Sequence, residues 1–104
     1  MSQTSTEQEN TTKTFKPSLY GVYILNDNYS TWNFVVEILM NLFHKNEYTA
    51  ITLTSQIHSD GEGICGIYTK EIAQMKVQES MDLARENKQP LQTVMREVTQ
   101  GSNI

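Results

Sequence analysis

Residues 20–43 read YGVYILNDNYSTWNFVVEILMNLF, and the change of pattern inside this stretch decides the fold. Residues 20–25 are aromatic and β-branched and end on Asn26, Asp27 and Asn28 in a row, the pattern of a buried strand running into a turn. From Trp32 to Lys45 the period changes. Phe34, Ile38 and Leu42 recur every fourth residue with Val35, Leu39 and Phe43 beside them, so the spacing predicts a helix with a wide apolar stripe. Ser30 or Thr31 is its natural N-cap. The polar run between strand and helix is longer than a turn requires, and it carries the only Trp of the chain at the helix start.

Moving outward, Asn46 can cap a second helix in which Ala50, Leu53 and Ile57 share a face. GEG at positions 61–63 breaks it, and residues 64–68 form a short strand. Thr69 caps a third helix over residues 70–87, with Ala73, Val77, Met81 and Ala84 on one side, and Pro90 stops it. In the last segment Leu91, Val94, Met95 and Val98 sit at helical spacing. Periodicity there favours a helix, although so short a run after a Pro turn can also be a strand. There is no internal repeat.

A chain of 104 residues is one domain by length, and it can bury a modest core without a disulfide or metal. Its single cysteine, Cys65, permits no internal disulfide and no cysteine-based metal cluster, in keeping with a reducing cytoplasm. The formal net charge is −4 with acidic and basic residues interspersed, so the basic patch of a nucleic-acid binder is missing. The start, MSQTSTEQEN, lacks the basic and apolar regions of a signal peptide, and no apolar run approaches the ~20 residues of a membrane span. Residues 1–16 are almost wholly polar apart from Phe15, which predicts a disordered arm closed by Pro17. The folded domain is expected from about Ser18 to about Val98, with residues 99–104 frayed.

Several residues carry possible chemistry. Asn26 and Asp27 have an ordinary reading as turn residues bonded to their own backbone. They also place a carboxylate and an amide oxygen at a strand end, where they can hold an ammonium group with its three donors. A calcium site is a poor match, since the spaced acidic ligands are missing. His58 is either a surface histidine favoured by a helix C-terminus or an acceptor for an ammonium or a water. Cys65 with His58 raises nucleophilic chemistry, but ICGIY at 64–68 is strand sequence in which a buried cysteine is the ordinary reading. Gly61, Gly63 and Gly66 do not form a phosphate loop. Trp32 either packs at the core edge or walls a pocket beside the polar turn.

Three segments in order, YGVYILNDNYSTWNFVVEILMNLF, GEGICGIYTKEIAQMKV and ARENKQPLQTVMREV, resemble the opening, middle and end of the ClpS adaptor family. The resemblance covers about Pro17 to Val98. It implies an α+β fold, β-α-α-β-α-β, shared with the C-terminal domain of the ribosomal stalk protein. In it a three-stranded antiparallel sheet has three helices packed on one side, so residues 91–98 become a strand. Members of the family are not enzymes and need no cofactor. They are cytoplasmic, are expected as monomers, and contact neither nucleic acid nor membrane. They bind proteins that begin with Phe, Leu, Trp or Tyr, the N-degrons, and deliver them to the N-terminal domain of a ClpA/ClpC-type AAA+ unfoldase for degradation.

By that resemblance Asn26, Asp27 and His58 hold the free α-amino group. The first side chain enters an apolar pocket at Ile24, Asn28, Ser30, Trp32, Thr54, Ile57 and Leu91. Glu71 and Lys76 face the unfoldase, and the N-terminal arm assists delivery. Three positions depart from the family pattern: Trp32 and Thr54 each stand where Met is usual, and Asn28 where Asp is common. Trp32 is larger than Met and Thr54 smaller, which implies a reshaped pocket with a shifted first-residue preference. The competing reading is a regulator that docks on the unfoldase with altered or lost N-degron specificity.

Overall fold

The computed structural model describes residues 17–98; the arm and tail expected at either end lie outside the described residues. Strand β1 (Leu19–Leu25) leads to helices α1 (Trp32–Asn41) and α2 (Glu47–Asp60). Strand β2 (Glu62–Thr69), helix α3 (Lys70–Glu86) and strand β3 (Gln92–Val98) follow. The sheet is antiparallel in the order β2-β1-β3, so the first strand of the chain is its centre. The architecture is the expected one, with the helices on one face of the sheet.

The core lies between that face and the helices. Val22 and Ile24 of β1 are fully buried there, against Val35, Ile38 and Leu39 of α1, Ala50, Leu53 and Ile57 of α2, and Ala73 and Ala84 of α3. Helix α1 is shorter than its spacing predicts. It ends at a C-cap on Leu42, and His44 takes a left-handed backbone (φ 59°). Leu42 and Phe43 still pack on the core, so apolar spacing runs past the helix that created it. The helix has no basic residue in its own last turn. Lys76 of α3 supplies one instead, its Nζ donating to the Leu42 carbonyl at 2.7 Å, where a cation both satisfies a free carbonyl and opposes the helix dipole.

The last segment is a strand, against its own periodicity. Pairing Thr93 with Ile24 and Met95 with Val22 turns these residues, like Leu91, towards the core. Val94 and Val98 therefore lie on the open face. The helical spacing arose because Thr93 and Glu97, on the helix-facing side, are polar, while Val94 and Val98, on the open side, are apolar. Thr93 is buried at no unpaired cost: its Oγ1 lies 2.8 Å from the buried Ser80 hydroxyl, which also bonds the Val77 carbonyl at 2.9 Å.

Two local devices position the site described below. At Gly63 a Cβ would stand 2.7 Å from Ile57 Cγ1 and 3.0 Å from Leu53 Cδ1, so the missing side chain lets α2 lie close against β2. The end of α3 is a Schellman motif: Gln89 N–H donates to Ala84 O (2.8 Å) and Lys88 N–H to Arg85 O (3.1 Å), with Lys88 left-handed at φ 57°. A lysine is strained there, whereas glycine is not. Lys88→Gly is expected to raise stability by about 1 kcal/mol, a gain of roughly 4–8 °C in melting temperature for a domain of this size. A thermal melt with an unchanged or lower midpoint would contradict that.

Candidate functional site

The polar run after β1 does more than turn the chain. Asn26 N–H donates to Gly61 O at 2.9 Å, which pins the loop onto the end of α2. Gly61 itself closes α2 in a left-handed conformation (φ 94°), with its N–H on Ile57 O. His58, in the last turn of α2, is thereby brought to the loop.

Asp27 then organises the loop. Its Oδ1 accepts from Tyr29 N–H (2.7 Å) and from Ser30 N–H (2.6 Å). The next residue, Thr31, donates its N–H to Gln89 Oε1 at 2.9 Å and caps α1 by accepting from Phe34 N–H at 3.1 Å. So the N-cap is Thr31, and Trp32 is the first residue of the helix.

These contacts close around a cavity of about 270 Å³. Its walls are Asn26, Asp27, Asn28 and Ser30 from the loop, Trp32 and Val35 from α1, and Thr54, Ile57 and His58 from α2. Eight of the ten residues expected at the amine site and the pocket thus line one hollow. The other two, Ile24 and Leu91, belong to the buried core and do not line it. Val35 is an addition. Its signal was present in the sequence, since position i+3 from Trp32 shares its helix face.

The cavity has a polar rim and an apolar wall. Burial pushes the Asp27 carboxyl up, but the Ser30 and Tyr29 N–H groups outweigh it and hold the pKa below its ordinary value. The Ser30 hydroxyl acts in the same direction, although its buried Oγ has no well-formed hydrogen bond among the described residues. Among the described residues only Oδ1 of Asp27 is used by the backbone, which leaves Oδ2 for a ligand. Among the described residues the side chains of Asn26 and His58 make no hydrogen bond, and both residues are exposed. Thr54 is buried with its hydroxyl donated to Ala50 O at 2.7 Å, so it meets the cavity as a small apolar wall despite its polarity. Trp32 is 46% exposed at the mouth.

The relatives of this chain decide its family. The family model described as ATP-dependent Clp protease adaptor protein ClpS matches residues 15–94. The chain belongs to the ClpS family. It is 45% identical to the ATP-dependent Clp protease adapter protein ClpS of Nautilia profundicola over 95 residues, covering 91% of this chain and 98% of that one. The corresponding ClpS of Brucella canis is 48% identical over 83 residues, covering 80% of this chain and 72% of that one. Among solved structures, Agrobacterium tumefaciens ClpS2 bound to L-phenylalaninamide superposes with a TM-score of 0.78 at 30% identity. That match spans 80% of this chain and all of the other. A ClpS is an adaptor of the Clp protease and not itself a protease.

The remaining sequence candidates fall elsewhere. Cys65 is the extra residue of a β-bulge, where the register steps from Val22↔Gly66 to Tyr23↔Ile64. It is 1% exposed, and burial pushes its thiol up to about 12, so it holds no nucleophilic thiolate beside His58. Glu71 is exposed in the first turn of α3, while Lys76 is half-buried on the Leu42 carbonyl. No helix of the described residues is long and apolar enough to cross a membrane.

Proposed function

We propose that this ClpS adaptor recognises the free amino terminus of proteins that begin with a large hydrophobic residue and delivers them to the Clp unfoldase. One observation carries the reading: a free carboxylate oxygen of Asp27, the free side chains of Asn26 and His58, and the apolar walls of Trp32, Val35, Thr54 and Ile57 share one cavity. An α-ammonium has three donors and a positive charge, and that rim offers acceptors and a negative one. The first side chain then enters the apolar part, at about 25 cal/mol per Å² buried. L-phenylalaninamide, the molecule bound to the Agrobacterium relative, has both features.

The experiment is a competition. A fluorescent peptide beginning with Phe is bound, and either L-phenylalaninamide or 3-phenylpropanamide, the same molecule without its amino group, is added. Displacement by the first and not the second is the expected result. Equal displacement by both would mean that the cavity reads the ring alone. Failure to bind the peptide while the unfoldase is still bound would favour the docking regulator.

Trp32 and Thr54 line the same cavity, so their sizes are coupled in setting the first-residue preference. Trp32→Met and Thr54→Met are each expected to reorder affinities for peptides beginning with Phe, Leu, Trp, Tyr, Met and Ile. The double variant should depart from additivity by about 0.5–1.5 kcal/mol. An unchanged ranking in all three variants would remove the coupling.

We place unfoldase docking on the exposed side of α3 around Glu71, where Ile72 and Met75 are also exposed. Lys76 would have to leave the Leu42 carbonyl to serve a partner, which offsets its contribution there.

A further inference from the structure

We propose that Gln89, outside the cavity, is the positioning residue that sets Trp32 and through it the first-residue preference. The proposal rests on the reading of the cavity given under Proposed function. In the loop over residues 29–31 three successive backbone N–H groups are bonded to side-chain oxygens and none to backbone. Tyr29 and Ser30 donate to Asp27 Oδ1, and Thr31 donates to Gln89 Oε1 at 2.9 Å. The start of α1 therefore hangs on two side chains. Asp27 lines the cavity, whereas Gln89 comes from the turn between α3 and β3, 58 residues from Thr31.

Gln89 is built to hold still. Its N–H is tied to Ala84 O by the Schellman motif. Pro90 follows and confines its backbone to extended conformations. Leu91, one residue on, is 2% exposed in the core. A half-buried side chain on so fixed a backbone gives Thr31 a rigid acceptor. Thr31 in turn caps α1 through Phe34 N–H, and Trp32 follows Thr31 directly, inside the turn that this cap closes. Trp32 is 46% exposed at the cavity mouth, so few neighbours of its own oppose a change in the direction of the first helical turn. Water can replace the Gln89 oxygen at the exposed Thr31 N–H, so its removal costs orientation more than stability.

Trp32 is the only tryptophan of the chain, so its fluorescence reports this position alone. Three variants are compared with wild type: Gln89→Ala, Gln89→Met (similar length, no acceptor) and Gln89→Glu (acceptor kept). Acrylamide quenching of Trp32 and the affinity ratio of Phe-first to Leu-first peptides are measured, with melting curves as a control. Gln89→Ala and Gln89→Met are expected to change quenching at least twofold and the affinity ratio at least threefold, while the preference for a free over an acetylated amine stays as in wild type. Gln89→Glu is expected to keep wild-type values. If Gln89→Ala melts at the assay temperature, Gln89→Met decides. Wild-type quenching and ratio in the variants without an acceptor overturn the proposal, as does their loss in Gln89→Glu. If wild type binds no free-amine peptide, the reading of the cavity falls, and quenching still decides whether Gln89 holds Trp32.

Discussion

Asp27→Asn is expected to weaken binding of a free-amine, Phe-first peptide by about 30- to 100-fold, equivalent to roughly 2–3 kcal/mol for a lost charge-assisted bond. Asn is the informative replacement because Asp27 has two tasks. Its Oδ1 holds the N–H groups of Tyr29 and Ser30, and an amide oxygen can take over both bonds. Asp27→Ala would release the loop as well as the ligand, and its effect could not be assigned. The matching control is an N-acetylated peptide, for which Asp27→Asn should change little. Equal losses for both peptides would show that the substitution damages the loop.

The same carboxylate has a defined pH dependence. Its pKa lies below the ordinary value, because the hydrogen bonds to its charged form outweigh burial. The loop stability it provides is therefore fully present above the unfolded pKa, about 3.9, and is lost as pH falls through the lower folded value. Accordingly, the ratio of wild-type to Asp27→Asn affinity should persist down to pH ~4 and collapse only below it. Dividing by the variant cancels other groups that titrate near the ligand. A ratio already half lost at pH ~3.9, the ordinary aspartate value, or higher would contradict the lowered pKa.

Gly63→Val is expected to be the most damaging single change to the fold and to reach the site indirectly. Even a bare Cβ at Gly63 would stand 2.7 Å from Ile57 Cγ1 and 3.0 Å from Leu53 Cδ1. Ile57 and Leu53 are themselves 2% and 9% exposed, so neither can swing into solvent. Valine adds two methyl groups to that contact, an overpacking of about 3 kcal/mol, which lowers the melting temperature by roughly 12–24 °C. Helix α2 has to move away from β2, and it carries Thr54, Ile57 and His58 into the cavity wall. Affinity for the Phe-first peptide should fall with stability. A variant that melts like wild type would mean that α2 does not rest on Gly63.

Much of the fold is legible in the sequence because its boundaries are chemical. The Asn run after β1, Asn46 before α2, the Gly pair around Glu62 and Pro90 each mark a change of element, and Asn46 caps α2 with its side chain (2.8 Å to Thr49 N–H). Thr69 stands at the N-cap of α3 but makes no side-chain bond there, so a cap read from residue type fixed the place and not the contact. Residues 91–98 defeat periodicity because Thr93 faces inward onto Ser80, a pairing 13 residues apart that no local window contains.

The site divides along the same line. Trp32 and Val35 share a helix face, and their proximity follows from spacing alone. Asn26 and His58 meet because of one backbone bond, Asn26 N–H to Gly61 O, and only the family resemblance brought them together beforehand. Ile24 and Leu91 were carried into the pocket by that resemblance, yet both are core residues here. Gln89 gives no signal in sequence, since its only contribution is an acceptor for a backbone N–H 58 residues away.

Recognition of a free α-amino group is the central claim, and the most direct measurement of it is a pair of anisotropy titrations. One uses a Phe-first peptide with a free amino terminus and the other the same peptide acetylated. Both present the same ring, so apolar burial cancels and only the ammonium differs. Acetylation is expected to weaken binding by at least 100-fold, because it removes the charge and leaves Asp27 facing an apolar or amide group. Equal affinities for the two peptides would contradict the claim.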